Sequence, residues 1–576
     1  MMGFKRSSYF FFFFCVLTPA VFSQKTLPVG YFRSPLDIRH YITGVFAEPR
    51  PDHLHSGIDF AVQQKIGLPI YAVADGYVSR IKVAPGGYGN ALYLTHPNGF
   101  VSVYGHLNEY NVVVEDYIKR KQKEQETFEI ELFPDPRLFH FNKGDVVGYA
   151  GNTGNSTGPH LHFEIRNEIT ERPINPALFG IYASDAQAPF FKKLMIYPYG
   201  QESRIKGRPD PVMYSFEKKP SGVTSYSLPD SVRVLGSCYL GVIARDLVSG
   251  GSDMGIYSLS LSVDGVPYFA YQLDSFSFDE SRYSNDIISY RQYLEEGDKF
   301  LLLKSGKCNC LPIYSHQVNR GILSFARKDT LSLEIVASDV VGNKAVLHFI
   351  MMGEPAPMSG EPSSYVPSGV LFKCDTSNAF EAEGIQVEIP RGALFDSIWF
   401  RYNRKEYPKN FYPYLHYLDE NGTPLAKPIR ITLTATEVSS EIRPKVVLVR
   451  WEENNAMLSL GGTWDGDRIT VSSYRFGRFT LAMDTVAPVI RPQNFSSGKN
   501  INGLGTLKLK VTDNLSGIKQ YRAEINGEWV LMKYDQKFDL MTIGLDDRIP
   551  RGTFELKIIV SDNCDNLAEK MYRLTY

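Results

Sequence analysis

Five side chains in three short segments have the types and spacing to do chemistry. The first segment is His55-Ser56-Gly57-Ile58-Asp59. An imidazole and a carboxylate four residues apart share a face in a strand, where four is even, and nearly so in a helix. Gly57 and the preceding Pro51-Asp52 argue against the helix. Both groups are ordinary zinc ligands. The second segment is Gly158-Pro159-His160-Leu161-His162-Phe163-Glu164-Ile165. In a strand, His160 and His162 project from one face about 6.6 Å apart, and Leu161 and Phe163 face the other way, into a core. One buried histidine is usually a satisfied core residue, whereas two on one face against an apolar reverse point to a shared metal ion. The third segment, Tyr104-Gly105-His106-Leu107, offers a lone histidine that by itself reads as a strand-end residue with a satisfied ring.

The elements that must position these residues are strands. Residues 70–78 read as a strand and turn, and 91–96 with 100–104 as a hairpin around Pro97-Asn98-Gly99. The mixed-charge stretch 116–124 reads as a solvated helical insertion, its opposite charges one turn apart. Eight of the 11 histidines precede residue 185 and all four Trp follow it, which separates an opening unit, 27–185, from the rest.

The remainder reads as all-β, in keeping with 35 Tyr and 36 Phe. Part of it repeats. Val242-Ile243-Ala244-Arg245-Asp246 and Lys510-Val511-Thr512-Asp513 open two copies, which close on Ala337-Ser338-Asp339 with Asn343 and on Val560-Ser561-Asp562 with Asn566. Alternating strands between Asp/Asn/Gly turns suggest immunoglobulin-like sandwiches at 186–355 and 486–576, with a β-rich unit at 360–485 between them. Turn chemistry accounts for the Asp and Asn positions without calcium.

Taken together, the three segments resemble the lysostaphin-type peptidases of family M23, the LytM-like peptidoglycan endopeptidases. The matching positions are His55/Gly57/Asp59, Tyr104/His106/Leu107 and Gly158 through Glu164, approached by the glycine-rich run 151–157. The resemblance covers about 45–170. It implies Zn²⁺ held by His55, Asp59 and His162, with a fourth position left for water. His160 would be the general base for that water, and His106 would sit opposite, hydrogen-bonding the water or stabilising the oxyanion. His53-Leu54-His55 is a second His-x-His pair, but the Gly-x-Asp register favours His55, leaving His53 as a neighbour of the cage or groove wall. His40, His96 and His140 read as structural. The expected fold class is therefore mainly β: a LytM-like antiparallel β-sheet peptidase domain followed by about three β-sandwich domains.

The first residues set the compartment. Lys5 and Arg6, an apolar run to Leu17 and the small-residue break Val21-Phe22-Ser23 have the order of a secretory signal peptide, 1–23. Export to the periplasm or cell envelope, or secretion, agrees with a cell-wall substrate. The expected function is hydrolysis of peptidoglycan peptide cross-links, with stem peptides as partner and the C-terminal β units available to an envelope protein. Two alternatives use the same residues: a metallopeptidase acting on envelope proteins, and a non-catalytic LytM-like amidase activator. The second kind typically lacks some ligands, and all five positions are filled here. A formal net charge of −1 gives no electrostatic reason for nucleic acid as a partner. The five cysteines after the leader are too few for a disulfide scaffold and read as buried or incidental thiols.

Overall fold

The computed structural model describes residues 27–576 except 51, 183–186, 219–221, 249–251, 355–367, 407–410, 420–421, 453 and 546–548. The expected leader, 1–23, lies outside the described residues. Among the described residues no helix is long and apolar enough to cross a membrane.

The opening unit is built on a nine-stranded sheet whose main path runs Ile42–Gly44, Ile58–Ala61, His160–Asn167, Phe100–Gly105, Asn90–Thr95, Gly76–Val83, Ile130–Leu132. The expected hairpin is present, with Leu92 opposite Tyr104 and Leu94 opposite Ser102. The central strand His160–Asn167 pairs antiparallel with Ile58–Ala61 on one side and Phe100–Gly105 on the other. All three chemical segments therefore meet on adjacent strands. Alternation works as the sequence suggests: Leu161, Phe163 and Ile165 are fully buried among Phe60, Tyr104 and Leu107. The charged insertion is a helix, Val112–Gln125, capped by the Asn111 side chain at one end and by left-handed Glu126 at the other. Its buried residues Val114, Ile118 and Gln122 recur every four positions, so a single stripe docks it and the rest stays in water.

The second unit differs from the expected pair of sheets. One 12-stranded sheet encloses its core, because its strands Phe190–Ile205 and Val232–Val248 run 16 and 17 residues. Strands that long exceed a domain layer and must bend; register breaks between Phe191 and Lys193 and between Tyr199 and Arg204 allow it. The third and fourth units are sandwiches of two five-stranded and two four-stranded sheets. The sequence repeat is a repeated turn. Asp339 Oδ1 accepts the amides of Val341, Gly342 and Asn343, and its Oδ2 accepts Asn343 Nδ2 at 2.7 Å. Asp562 Oδ1 accepts the amides of Cys564 and Asn566, and its Oδ2 accepts Asn566 Nδ2 at 2.7 Å.

The thiol reading needs correcting: Cys308 and Cys374, 66 residues apart, form a disulfide that ties the second unit to the third. Cys238 and Cys564 are buried and free, and Cys310 is exposed. At the same junction, Lys304 and Arg320 pair with Asp396 at 2.8 and 3.0 Å. Asp286 is buried beside them, and its Oδ2 accepts the Gly306 amide and Asn309 Nδ2. Burial pushes its carboxyl up to about 6, against the pull of Lys304 and those two donors. A carboxyl whose folded pKa exceeds its unfolded one binds a proton more readily when folded, so stability falls as pH climbs from about 4 to about 6. Asp286→Asn is therefore expected to melt higher than wild type at pH 8, by at most about 3 kcal/mol over roughly two pKa units. The gain should vanish below pH 4, and melting curves at the two pH values check it.

Candidate metal centre

The register fixes the site before any side chain is considered. His162 lies opposite Asp59 on one flank and opposite Gly105 on the other, so His106 is the next residue beyond that pair. His55 reaches the same point through Gly57. A Cβ on Gly57 would stand 2.2 Å from the Phe163 carbonyl, so only glycine lets the His55–Asp59 turn lie against the central strand. His106 sits at φ 60°, a left-handed position that swings its ring from the strand end back over the sheet.

Three donors converge. His55 Nε2 lies 3.0 Å from Asp59 Oδ1 and 3.0 Å from His162 Nδ1, and His162 Nδ1 lies 2.9 Å from Asp59 Oδ1. All three residues are buried. Their outward atoms decide which lone pairs point inward. His55 Nδ1 donates to the Val45 carbonyl at 2.7 Å, leaving Nε2 as an acceptor. His162 Nε2 donates to Glu164 Oε1 at 2.8 Å, leaving Nδ1 free to coordinate. Two imidazole lone pairs and a carboxylate oxygen at such spacing require a cation among them, either a proton or a metal ion. Asp59's other oxygen is committed to Arg50 Nη2 at 2.5 Å, and Gly44 makes room, since a Cβ there would stand 2.5 Å from Asp59 Oδ2.

The two remaining histidines flank this cage. His106 Nδ1 donates to the Thr153 carbonyl at 2.7 Å, and its backbone amide donates to the Tyr88 carbonyl at 2.9 Å. His160 Nδ1 donates to the Gly158 carbonyl at 2.9 Å, and Ser156 Oγ stands 3.1 Å from it. Both therefore keep an Nε2 lone pair, that of His160 being 3.5 Å from Asp59 Oδ1. Their rings are 4.7 Å apart.

The electrostatics follow from burial and from this ring of groups. Burial drives His106 down to about 3, helped by His162 and His160. Burial likewise lowers His55, against Asp59. Burial also opposes charge on His162, but Asp59 and Glu164 outweigh it and lift the ring to about 9. For Asp59 burial favours the neutral acid, yet His55, His160 and His162 hold it well below the carboxylate range. The cage thus presents an ionised carboxylate to whatever cation it holds.

Residues 53–123 and 140–176 match the model of peptidase family M23. Residues 369–484 match that of a Zu5-like domain. A DD-carboxypeptidase/endopeptidase of Neisseria meningitidis serogroup B is 34% identical over 160 residues, 28% of this chain and 28% of its own. A peptidoglycan DD-endopeptidase of Vibrio cholerae is 31% identical over 157 residues, 26% of this chain and 30% of its own. The opening unit is an M23 peptidase domain. The chain spans less than a third of the length of these curated relatives. Among solved structures, a zinc-containing peptidase from Vibrio cholerae is 27% identical over 27% of this chain and 40% of its own, with a TM-score of 0.19.

M23 peptidases depend on zinc, and the donor set of this M23 domain fits that ion: two imidazole nitrogens and one ionised carboxylate within 4.8 Å of one another, with the proton that Asp59 and Glu164 favour on His162 occupying the place a metal ion would take. His53 is exposed and outside the converging set. Nor do the other histidines take part: His96 is satisfied by the Asp75 carbonyl and Ser102 Oγ, His40 by Ser34 Oγ, and His140 lies beside Tyr77. Sequence reasoning gave no role to several residues that hold the M23 site. Glu164 is fully buried and accepts from Ser56 Oγ, Tyr88 hydroxyl and Arg166 Nε as well as from His162. Tyr88 also stacks on His162 with ring centroids 5.1 Å apart. Glu164 was visible as the end of the His-x-His-x-Glu alternation, two residues on and on the same face; Arg50 and Tyr88 had no signal.

Proposed function

We propose that this protein is an exported zinc metalloendopeptidase that hydrolyses peptide cross-links of bacterial peptidoglycan. The observation that carries the reading is the pairing of a three-donor cage with two flanking imidazoles, each donating through Nδ1 and so keeping an acceptor Nε2, that of His160 3.5 Å from Asp59 Oδ1 and the His106 ring 5.9 Å from that of His162. The relatives named as DD-endopeptidases support the substrate class. The leader pattern at 1–23 supports export to the periplasm or envelope.

His55 Nε2, Asp59 Oδ1 and His162 Nδ1 would hold the ion. When bound, zinc supplies Lewis acidity and brings the pKa of a water in its open position towards about 7. The chain's own residues do the rest. His160, its Nδ1–H fixed on the Gly158 carbonyl, takes a proton from the attacking water at Nε2 and can return it to the leaving amine. His106, fixed at Nδ1 by Thr153 and at its amide by Tyr88, presents an acceptor that orients the same water. The bonding of His106 favours this role over that of an oxyanion donor, which would need a proton on Nε2. Glu164 keeps His162 in the tautomer that points Nδ1 inward.

The test is digestion of cross-linked muropeptide dimers followed by mass spectrometry. Wild type should convert dimers to monomers, and His160→Ala should be slower by about 10²–10⁴-fold, the usual contribution of a positioned base. Equal rates for the two proteins would refute the role given to His160, and intact dimers with wild type would refute the substrate.

A further inference from the structure

The fourth unit touches the opening unit at a place with chemical consequences. Its short helical turn Gln536–Phe538 sits against the two glycine-rich loops beside the metal centre. Lys537 Nζ donates to the Asn152 carbonyl and to the Gly154 carbonyl, the latter at 3.3 Å. Between those two residues is Thr153, whose carbonyl holds His106 Nδ1–H. Gln536 approaches the other loop: a Cβ on Gly86 would stand 3.4 Å from Gln536 Oε1. That loop carries Tyr88, whose carbonyl holds the His106 amide.

The loops are packed on each other with no slack. A Cβ on Gly154 would lie 2.3 Å from the Gly89 nitrogen and 2.4 Å from the Gly87 oxygen, and the Asn155 amide donates to the Gly87 carbonyl at 2.8 Å. A pull on one is therefore felt by the other. Lys537 is well placed to hold them. Its side chain is only 17% exposed, Asp535 stands 3.8 Å away, and its ammonium has two carbonyl acceptors where water is largely excluded. The docking does not depend on it alone, since Arg522 Nη1 pairs with Glu126 Oε2 at 2.6 Å at the end of the inserted helix.

We infer that Lys537, from the fourth unit, is a positioning residue for His106: it clamps the 152–154 loop, about 380 residues away from it in sequence, whose Thr153 carbonyl orients that imidazole. The fourth unit is then part of the working active centre rather than a spacer. The catalytic half of this inference rests on the hydrolase reading above; the clamp itself does not.

Full-length protein tests both halves. Lys537→Ala should lower kcat on muropeptide dimers by about tenfold with KM unchanged, as expected when a reacting group is held in place less well. Lys537→Arg, which keeps a cationic donor, should recover most of that loss. In a His106→Ala background, Lys537→Ala should cost less than about twofold more, because residues acting through one another are not additive. Independently of activity, hydrogen exchange read by mass spectrometry should quicken at 152–156 in Lys537→Ala and not in Lys537→Arg. Unchanged exchange at the loop, or a full additional loss in the His106→Ala background, would overturn the inference. A protein inactive on muropeptides but loosened at 152–156 by Lys537→Ala would retire the substrate assignment and uphold the clamp.

Discussion

Asp59→Ala is expected to purify folded but without bound zinc. The carboxylate is the only anion among the converging donors, and both imidazole nitrogens of the cage lie within 3.0 Å of its Oδ1. A methyl group leaves two neutral nitrogens, and Arg50, 2.5 Å from Oδ2 in the wild type, would face the vacated space with its positive charge. Both changes act against a divalent cation. The loss of affinity should exceed the ~10–100-fold that follows from removing an outer partner of a ligand. The fold should survive, because the sheet positions Asp59 through backbone pairing with His162 that any residue can make. Metal analysis after dialysis against a defined free-zinc buffer reads the result. Wild-type occupancy in Asp59→Ala would show that the ion sits elsewhere.

The second large effect falls on a residue that touches no substrate. Glu164 is fully buried, and its oxygens are shared among His162, Ser56, Tyr88 and Arg166. Glu164→Ala would strand the buried Arg166 guanidinium. Removing one partner of a buried pair costs on the order of 3–5 kcal/mol, and in a domain of this size each kcal/mol lowers Tm by about 2–4 °C. Burial disfavours the Glu164 carboxylate, but Arg166 and His162 hold it far below the ordinary carboxylate range. A depressed folded pKa means that the stabilisation is complete above the unfolded value and is lost as pH falls. The gap between wild type and Glu164→Ala should therefore narrow in acid. Glu164→Gln is the informative companion. It keeps the shape, but its NH2 must take a position where donors already point inward, opposing Arg166 at Oε2 or His162, Ser56 and Tyr88 at Oε1, and the acceptor left for His162 is at best a neutral amide oxygen in place of a carboxylate. Zinc affinity should fall by about 10–100-fold even where the protein still folds. Chelator competition and thermal melting separate the two effects; unchanged zinc affinity in Glu164→Gln would remove Glu164 from the metal centre.

The contrast between Asp59 and Glu164 shows what could be read from the chain alone. His55, Asp59, His160 and His162 announce themselves because strand alternation and a glycine register put reactive side chains on one face, and both are properties of spacing. His106 was legible only in company with the others. The atoms that orient the rings were not legible. Val45, Thr153 and Gly158 act through backbone carbonyls, which every residue possesses, so side-chain identity carries no trace of them. Arg50, on the short strand Pro49–Arg50, and Tyr88, on a loop, reach the site through tertiary folding alone. The same holds at larger scale. Alternating strands and Asp-Asn turns exposed the β units, but the single 12-stranded sheet of the second unit depends on bends within two long strands. The Cys308–Cys374 bridge and the Lys537 contact join residues far apart in sequence, and nothing local marks either partner.

The most direct measurement is cleavage of purified muropeptide dimers before chelation, after it, and after zinc is restored. If His55, Asp59 and His162 hold the ion on which hydrolysis depends, cleavage stops when zinc is withdrawn and returns when it is added back at one equivalent. Dimers cut equally fast by the chelated protein would contradict the account.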